Sequence, residues 1–297
     1  MPGDFLFCQG TDDYLLTKKQ NLCIGIRKHA KMLLIPYCIS ACMCIIIQYF
    51  QGNITANEIS FECLRYLAGM SFSNKILTDI GSVGPIYFFL LLFLIRSIYL
   101  FVDIYIQRDE YKTITIVGIS LLGYYLGKMG LWLPWGVDMA CYGIIFYHIG
   151  RIFREKHLLE HLKQNCWSYF ILSTVWAYMI YCGSVDLSMR NYGMFTLGIL
   201  GSISGICLVY LLCSYLLQSL ILAGIYQKMV SVIGKNTIYV LIVHTVLNEL
   251  LNQFFELYFD RNYIYLLILT LFIQICIGVI IGTIKDFGKK LLFVTIK

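Results

Sequence analysis

The 21 residues of Ser82–Val102 carry one charged side chain, Arg96, and the 25 residues of Met194–Gln218 carry none. A helix needs about 20 apolar residues to cross the hydrocarbon of a bilayer, and no soluble core requires runs this long. The pattern recurs along the chain. Apolar runs fall at Met32–Phe50, Ser82–Val102, Thr113–Lys128, Pro134–Gly150, Trp167–Gly183, Met194–Gln218, Thr237–Phe255 and Tyr263–Ile284, eight in all. Thr113–Lys128 is the shortest, and a tight Trp132-Leu133-Pro134-Trp135 turn follows it. A soluble domain has roughly a quarter of its residues charged. Here the charged fraction is 13%, the hydrophobic fraction 59% and the mean hydropathy +0.74. The chain therefore reads as an all-α, polytopic transmembrane helix bundle of about eight spans, forming one domain over residues 1–297 with no linker or repeat.

Basic residues set the orientation. Arg27-Lys28-His29-Ala30-Lys31 runs without a break into Met32-Leu33-Leu34-Ile35-Pro36-Tyr37, and such a cluster marks the cytoplasmic side of a span. With residues 18–31 inside, the inner segments hold 17 of the 23 Lys and Arg and the outer loops hold five; Arg96 lies within a span. This imbalance predicts both termini on the cytoplasmic side. It also explains the net charge of +6 as short orientation clusters and leaves no reason to invoke nucleic acid. Trp132 and Trp135 at the outer boundary, and Trp167 at the inner one, stand where aromatic belts form.

Most of the 12 cysteines sit inside apolar runs as small hydrophobes, and no spacing suits a metal or a disulfide framework. Asp4, Asp12 and Asp13 interrupt the first thirty residues, so these do not form a signal peptide. In the outer loop Gln51–Ile80, the residues Ile59, Cys63, Tyr66, Leu67 and Met70 recur at helical spacing opposite Glu58, Glu62 and Arg65. That predicts a short helix lying at the outer surface. Asn53-Ile54-Thr55 fits a glycosylation sequon, a short and common pattern.

Charged and polar side chains inside a span are costly and point to function unless a polar interior holds them. Arg96 either snorkels and pairs with Asp103, two turns on, or holds an anionic phosphate near the cytoplasmic mouth. Asp138 opens a span on the face of Tyr142, where it caps a helix or takes part in catalysis. His148 is expected at the inner interface, and His29, His157 and His161 lie in basic cytoplasmic segments. Thr237, Leu241, His244, Asn248 and Asn252 form one helical stripe, flanked by Thr245, Glu249 and Gln253. So much polar surface must line a cavity or a polar interior. His244 is then either a base or an interhelical hydrogen-bond partner. These features describe a polar path through a bundle, which serves a transporter and a transmembrane group-transfer enzyme alike.

Several stretches together resemble a known family. Lys28-x-x-Lys31 with Leu34-Ile35-Pro36-Tyr37 resembles a basic pair followed by a LIPY element. Gly84-Pro85-Ile86-Tyr87-Phe88-Phe89 through Arg96 resembles a helix that ends in Phe-Leu-Ile-Arg. Leu133-Pro134-Trp135 with Phe146-Tyr147-His148-Ile149-Gly150, the loop Asp186–Gly193, and Ile233-Gly234-Lys235-Asn236-Thr237-Ile238-Tyr239 with His244 follow in the same order. In this order they are similar to the membrane acyltransferases called acyltransferase family 3, in the branch of fucose-acetylase-like sugar acetyltransferases.

The resemblance implies an enzyme of a bacterial cytoplasmic membrane. It would move an acyl group, acetyl above all, from cytoplasmic acyl-CoA to a hydroxyl of an extracytoplasmic or lipid-linked sugar. Acyl-CoA would be the donor substrate, with no bound cofactor or metal. Its partners would be the acceptor glycan and the lipid bilayer. By charge and side, Lys28, Lys31 and Arg96 become the candidates for the donor's phosphates. The family's base is a histidine on its first helix, following a basic residue. On this resemblance Met1–Gly10 matches the end of the second helix, so the first helix and most of the second are missing. His244 and Asp138 remain the candidate catalytic residues. The alternatives are a transporter or exporter of a small polar solute or glycan, a scaffold without chemistry, and an inactive truncated relative.

Overall fold

The computed structural model describes residues 3–69, 83–131, 133–182, 186, 191–219, 223–258 and 263–295. Met1, Pro2, Met70, Lys75, Trp132, Arg190 and Arg261 lie outside the described residues, as do the side chains of residues 1–19 and of Asn252 and Gln253. The described helices are α1 (Gly3–Phe50), α2 (Ile59–Ala68), α3 (Tyr87–Tyr105), α4 (Asp109–Lys128), α5 (Val137–Glu155), α6 (Leu158–Gln164), α7 (Cys166–Cys182), α8 (Phe195–Ser219), α9 (Ala223–Lys235), α10 (Thr237–Tyr258) and α11 (Tyr263–Thr295). Single 3-10 turns at Gly84–Ile86 and Pro134–Gly136 lead into α3 and α5. Among the described residues the only β contact is an isolated bridge, Asp186 to Asn191.

Among the described residues, four stretches are long and apolar enough to cross a membrane: Gln20–Phe50, Gly84–Tyr105, Phe195–Tyr215 and Ile268–Lys285. A fifth comes from the pair Gln227–Lys235 and Thr237–Leu251, which meet at 68°. Asn236 makes that bend. Its side-chain amide donates to Val232 O at 2.9 Å, and its own carbonyl accepts Tyr239 N at 2.9 Å. α4 carries Asp109, Glu110 and Lys112 in its first turn, and α7 is only 17 residues long.

Alternating faces of α1 show how these helices pack. Leu33, Tyr37, Ser40, Ala41, Cys44 and Gln48 are buried, while Ile35, Ile39, Met43 and Ile46 form an exposed stripe. Both stripes are apolar for most of their length. An apolar exposed face suits lipid, where helices must satisfy every backbone group internally.

α3 packs between α1 and α5, α4 closes against α5, and α10 lies between α1 and α11; α7 pairs with α8. Two cores result. Leu33, Tyr37, Tyr66, Phe89 and Leu90 join α1, α2 and α3. Tyr124, Tyr142, Tyr192, Ile144 and Ile199 join α4, α5 and α8. The Tyr142 and Tyr192 rings lie 4.6 Å apart in a tilted pair. Without a hydrophobic force between helices in lipid, close backbone contact supplies the packing. Gly123 on α4 shows it: a Cβ there would run into Tyr142 N and Asp138 O on α5.

α2 forms where helical spacing predicts a short helix. Its buried residues are Tyr66, from the apolar stripe, and Glu62, from the charged one, while Leu67 is 67% exposed. The Tyr37 hydroxyl donates to Tyr66 O, at a point 13 residues, or about 20 Å, along α1 from Phe50. α2 therefore packs on the bundle through Glu62 and Tyr66, and Phe61, Leu64 and Leu67 are exposed.

Candidate functional site

The helices leave two polar cavities at opposite ends of the bundle. At the end holding Arg27–Lys31, α1, α3 and α5 enclose about 630 Å3 between His29, Arg96, Tyr99, Asp103, Arg151 and Arg154. The carboxylates there are engaged. Asp103 Oδ1 accepts from Lys112 Nζ at 2.6 Å and from Arg151 Nη1 at 2.8 Å, and Glu155 accepts from Arg151 Nε at 2.6 Å. The Arg151 guanidinium also lies over the Tyr99 ring, 5.6 Å from its centre. The Glu155 and Asp103 hydrogen bonds outweigh burial and hold the Arg151 pKa above its ordinary value. Burial works against the charged form of Lys112, yet its bond to Asp103 prevails and raises its pKa.

Arg96 stands apart from this network. Its Nη1 lies 3.8 Å from Met32 Sδ, and its buried Nε has no hydrogen-bond partner. Among the described residues neither Arg96 nor Arg154 has a carboxylate partner. His29 Nδ1 is likewise buried without a hydrogen bond. The cavity thus offers two uncommitted guanidinium groups, and guanidinium binds phosphate with paired, charge-assisted hydrogen bonds. Gly150 also lines it, and a Cβ there would meet nothing within 4 Å.

At the other end, α1, α2, α10 and the turn before α3 enclose about 320 Å3 between Gln48, Arg65, Tyr66, Val83, Asn248 and Glu249. Gln48 Nε2 donates to Glu249 Oε1 at 2.7 Å. Arg65 Nη2 approaches Glu62 Oε2 at 2.5 Å without hydrogen-bond geometry. Burial raises the Glu62 pKa; Arg65 opposes the shift, while Glu249 and Glu58 add to it. Burial likewise pushes the Tyr66 hydroxyl up. Gln48 Oε1, Glu62 Oε2 and Arg65 Nε are all buried with no hydrogen-bond partner.

The residues singled out in the sequence fall unevenly on these two sites. Arg96 lines the basic cavity, whereas Lys28 and Lys31 on α1 are exposed and do not line it. The pairing of Arg96 with Asp103 does not form, because Lys112 and Arg151 occupy the carboxylate. His148 is buried against protein neighbours near the inner end of its run. Its Nδ1 bonds the Tyr99 hydroxyl and its Nε2 bonds Thr113 Oγ1, both at 3.0 Å. Asp138 is fully buried in the first turn of α5, where it accepts Leu133 N at 3.2 Å and the Tyr192 hydroxyl at 3.4 Å.

His244 belongs to a closed triangle between α10 and α11. Its Nδ1 lies 2.8 Å from Gln274 Oε1, its Nε2 lies 3.2 Å from Asn248 Nδ2, and Gln274 Nε2 donates to Asn248 Oδ1 at 2.8 Å. Both ring nitrogens are taken, the arrangement of an interhelical hydrogen-bond partner. Sequence reasoning missed Arg151 and Arg154, which read as orientation charges, and Gln48, which reads as the polar end of a span. Glu62 and Arg65 were visible as the charged face of a short helix, with no signal that Arg65 lines a cavity.

These features define an all-α bundle with four or five helices able to cross a membrane and a polar cavity at each end. No known protein family, curated protein or solved structure matches the chain.

Proposed function

We propose that the protein is a membrane O-acyltransferase, which takes an acyl group, acetyl above all, from cytoplasmic acyl-CoA and places it on a hydroxyl of an extracytoplasmic or lipid-linked sugar. The observation that carries this reading is the basic cavity, where Arg96 and Arg154 lack carboxylate partners. A donor bearing several phosphates meets that need, and a neutral solute does not. Exposed Lys28 and Lys31, near the mouth on α1, add to the field that draws an anion in. The order of sequence elements resembling acyltransferase family 3 supports the same reading.

In this reading all eight apolar runs span the membrane with both termini inside, so the basic cavity opens to the cytoplasm and the other outward. α3 and the turn that leads into it reach both: Pro85 in the turn and Arg96 in the helix are 11 residues, or about 16 Å, apart. In the reaction the sugar hydroxyl oxygen attacks the thioester carbonyl carbon. The C–O bond forms as the C–S bond breaks, and the leaving thiolate of CoA takes up the proton lost by the hydroxyl. Arg96 and Arg154 hold the donor in place, and with Arg151 balance its charge. Of the described histidines, His29 lines this cavity, and its buried Nδ1 has no hydrogen-bond partner.

The test is transfer of labelled acetyl from acetyl-CoA to membrane glycans by the full chain in membrane vesicles. Transfer that falls in Arg96→Gln supports the reading. Solute movement that needs no acyl-CoA, with no transfer, supports the transporter instead.

A further inference from the structure

We propose that the groove between α5, α6 and α8 binds an anionic diacyl phospholipid, with one alkyl chain in the groove and the phosphate on Arg154. The groove encloses about 250 Å3, a volume suited to a stretch of one chain.

The walls are apolar. Ile149 and Phe153 of α5, Leu159 of α6, and Ile203 and Ile206 of α8 line the groove, and Arg154 is the one charged side chain among the described residues that do. A hollow of this kind holds no water, and hydrocarbon fills it. Its place in the bundle selects the hydrocarbon. The end of α5, the short α6 and the start of α7 lie at one level, because α6 contacts both neighbours. Exposed Trp167, in the first turn of α7, marks that level as a membrane boundary, where aromatic side chains collect. Phe146, Ile149 and Phe153 precede Arg154 on α5, Phe146 by eight residues or about 12 Å. The groove therefore runs from the headgroup level into the span, the path of a lipid chain.

Charge selects the headgroup. Among the described residues Arg154 has no carboxylate partner. Glu155 accepts from Arg151 Nε at 2.6 Å, and Glu160 stands 3.6 Å from His157 Nδ1. With exposed Lys156 next in the chain, the rim is left cationic, and basic residues at a boundary hold anionic lipids. A guanidinium grips phosphate through paired hydrogen bonds. A neutral lipid would fill the groove and leave Arg154 unanswered, and a free phosphate would do the reverse. Phe146, Gly150 and Arg154 also line the basic cavity, at i, i+4 and i+8 on α5. This ridge divides the polar cavity from the apolar groove, so Arg154 borders both. Its five N–H donors suffice in number for a phosphate on each side.

The site stands on its own geometry and not on the acyltransfer reading. The test is native mass spectrometry of the full chain in detergent, titrated with dioleoyl phosphatidylglycerol and with dioleoyl phosphatidylcholine. Glycerol phosphate serves as the headgroup without chains. The wild type should retain phosphatidylglycerol at least about tenfold more tightly than phosphatidylcholine, and glycerol phosphate should not displace it. Arg154→Gln should weaken retention at least about tenfold, and more than Lys156→Gln, which removes an exposed cation that does not line the groove. Ile203→Trp, which fills the groove, should abolish retention; Arg154→Gln decides the matter if that variant does not fold. Equal affinity for the two phospholipids overturns the proposal. So does equal loss in Arg154→Gln and Lys156→Gln, displacement by glycerol phosphate, or unchanged retention in folded Ile203→Trp. Titrating the same preparation with acetyl-CoA separates the two readings. Acetyl-CoA binding without phosphatidylglycerol binding overturns this site alone, and the converse overturns the transferase alone.

Discussion

Arg151 holds Asp103 at 2.8 Å, and Lys112 holds the same carboxylate oxygen at 2.6 Å from the other side. Helical spacing alone would give Asp103 to Arg96, seven residues before it on the same helix. The helix-to-helix contacts prevail because α4 and α5 bring cations to the end of α3, where the carboxylate is still partly exposed. Arg96, deeper in, is left for a ligand.

Replacing Asp103 tests that arrangement. Asp103→Asn leaves the buried ammonium of Lys112, 7% exposed, with only the distant Asp109 carboxylate at 3.5 Å. Thermal unfolding in nanodiscs should show a loss of about 1–3 kcal/mol, the usual cost of stranding a buried polar group. Asp103→Glu should recover most of it.

The His244 triangle predicts a stability effect separable from catalysis. Gln274 is 3% exposed, and Gln274→Leu leaves His244 Nδ1 and Asn248 Oδ1 without partners. A loss of about 1–3 kcal/mol is expected. In His244→Ala the apparent Tm should fall while transfer per folded molecule stays near wild type. A folded His244→Ala protein without transfer would restore His244 as a candidate base.

Gly123 fixes the spacing of α4 and α5. Gly123→Val sets side-chain atoms against Tyr142 N and Asp138 O, backbone atoms that cannot move aside alone. The hairpin should separate, at a cost of about 1–3 kcal/mol or more. Gly118→Val on the same helix, where a Cβ would meet nothing within 4 Å, should cost much less.

Glu62, beside Arg65 at the cavity between α1, α2 and α10, carries a pH dependence of known sign. Its pKa is raised in the folded protein, chiefly by burial, so the folded state binds its proton at a higher pH than the unfolded chain does. The stability contributed by protonated Glu62 is complete below the unfolded value of about 4.3 and is lost as pH rises through the folded value. Relative to Glu62→Gln, the wild type should therefore gain Tm as pH falls from about 6 to about 4. A difference in Tm that stays flat over that window would mean that Glu62 is not held in a burying environment.

Much of the fold is legible in the sequence because hydropathy acts locally. The runs at Met32–Phe50 and Ser82–Val102 lie within α1 and across the turn into α3, and the short Thr113–Lys128 run lies within α4. The Thr237–Asn248 stripe correctly placed His244 and Asn248 on one polar face. What one helix cannot disclose is which neighbour meets that face. Gln274 comes from α11, 30 residues from His244, and turns the histidine from a candidate base into a structural partner. The spacing in α2 predicts its helix, but not that Glu62 and Tyr66 are the residues its neighbours bury. The Arg151 and Arg154 pair was hidden because a cation that orients a helix and one that lines a cavity look alike in sequence.

The account stands or falls on the donor at the basic cavity. The most direct measurement is calorimetric titration of the purified full chain in nanodiscs with acetyl-CoA, beside the folded variants Arg96→Gln and Gly150→Leu. The first removes an uncommitted guanidinium, and the second fills open space on the cavity wall. Saturable binding to the wild type, weakened at least about tenfold in each variant, is the predicted result. Absence of binding to the wild type, or equal affinity in all three proteins, would contradict it.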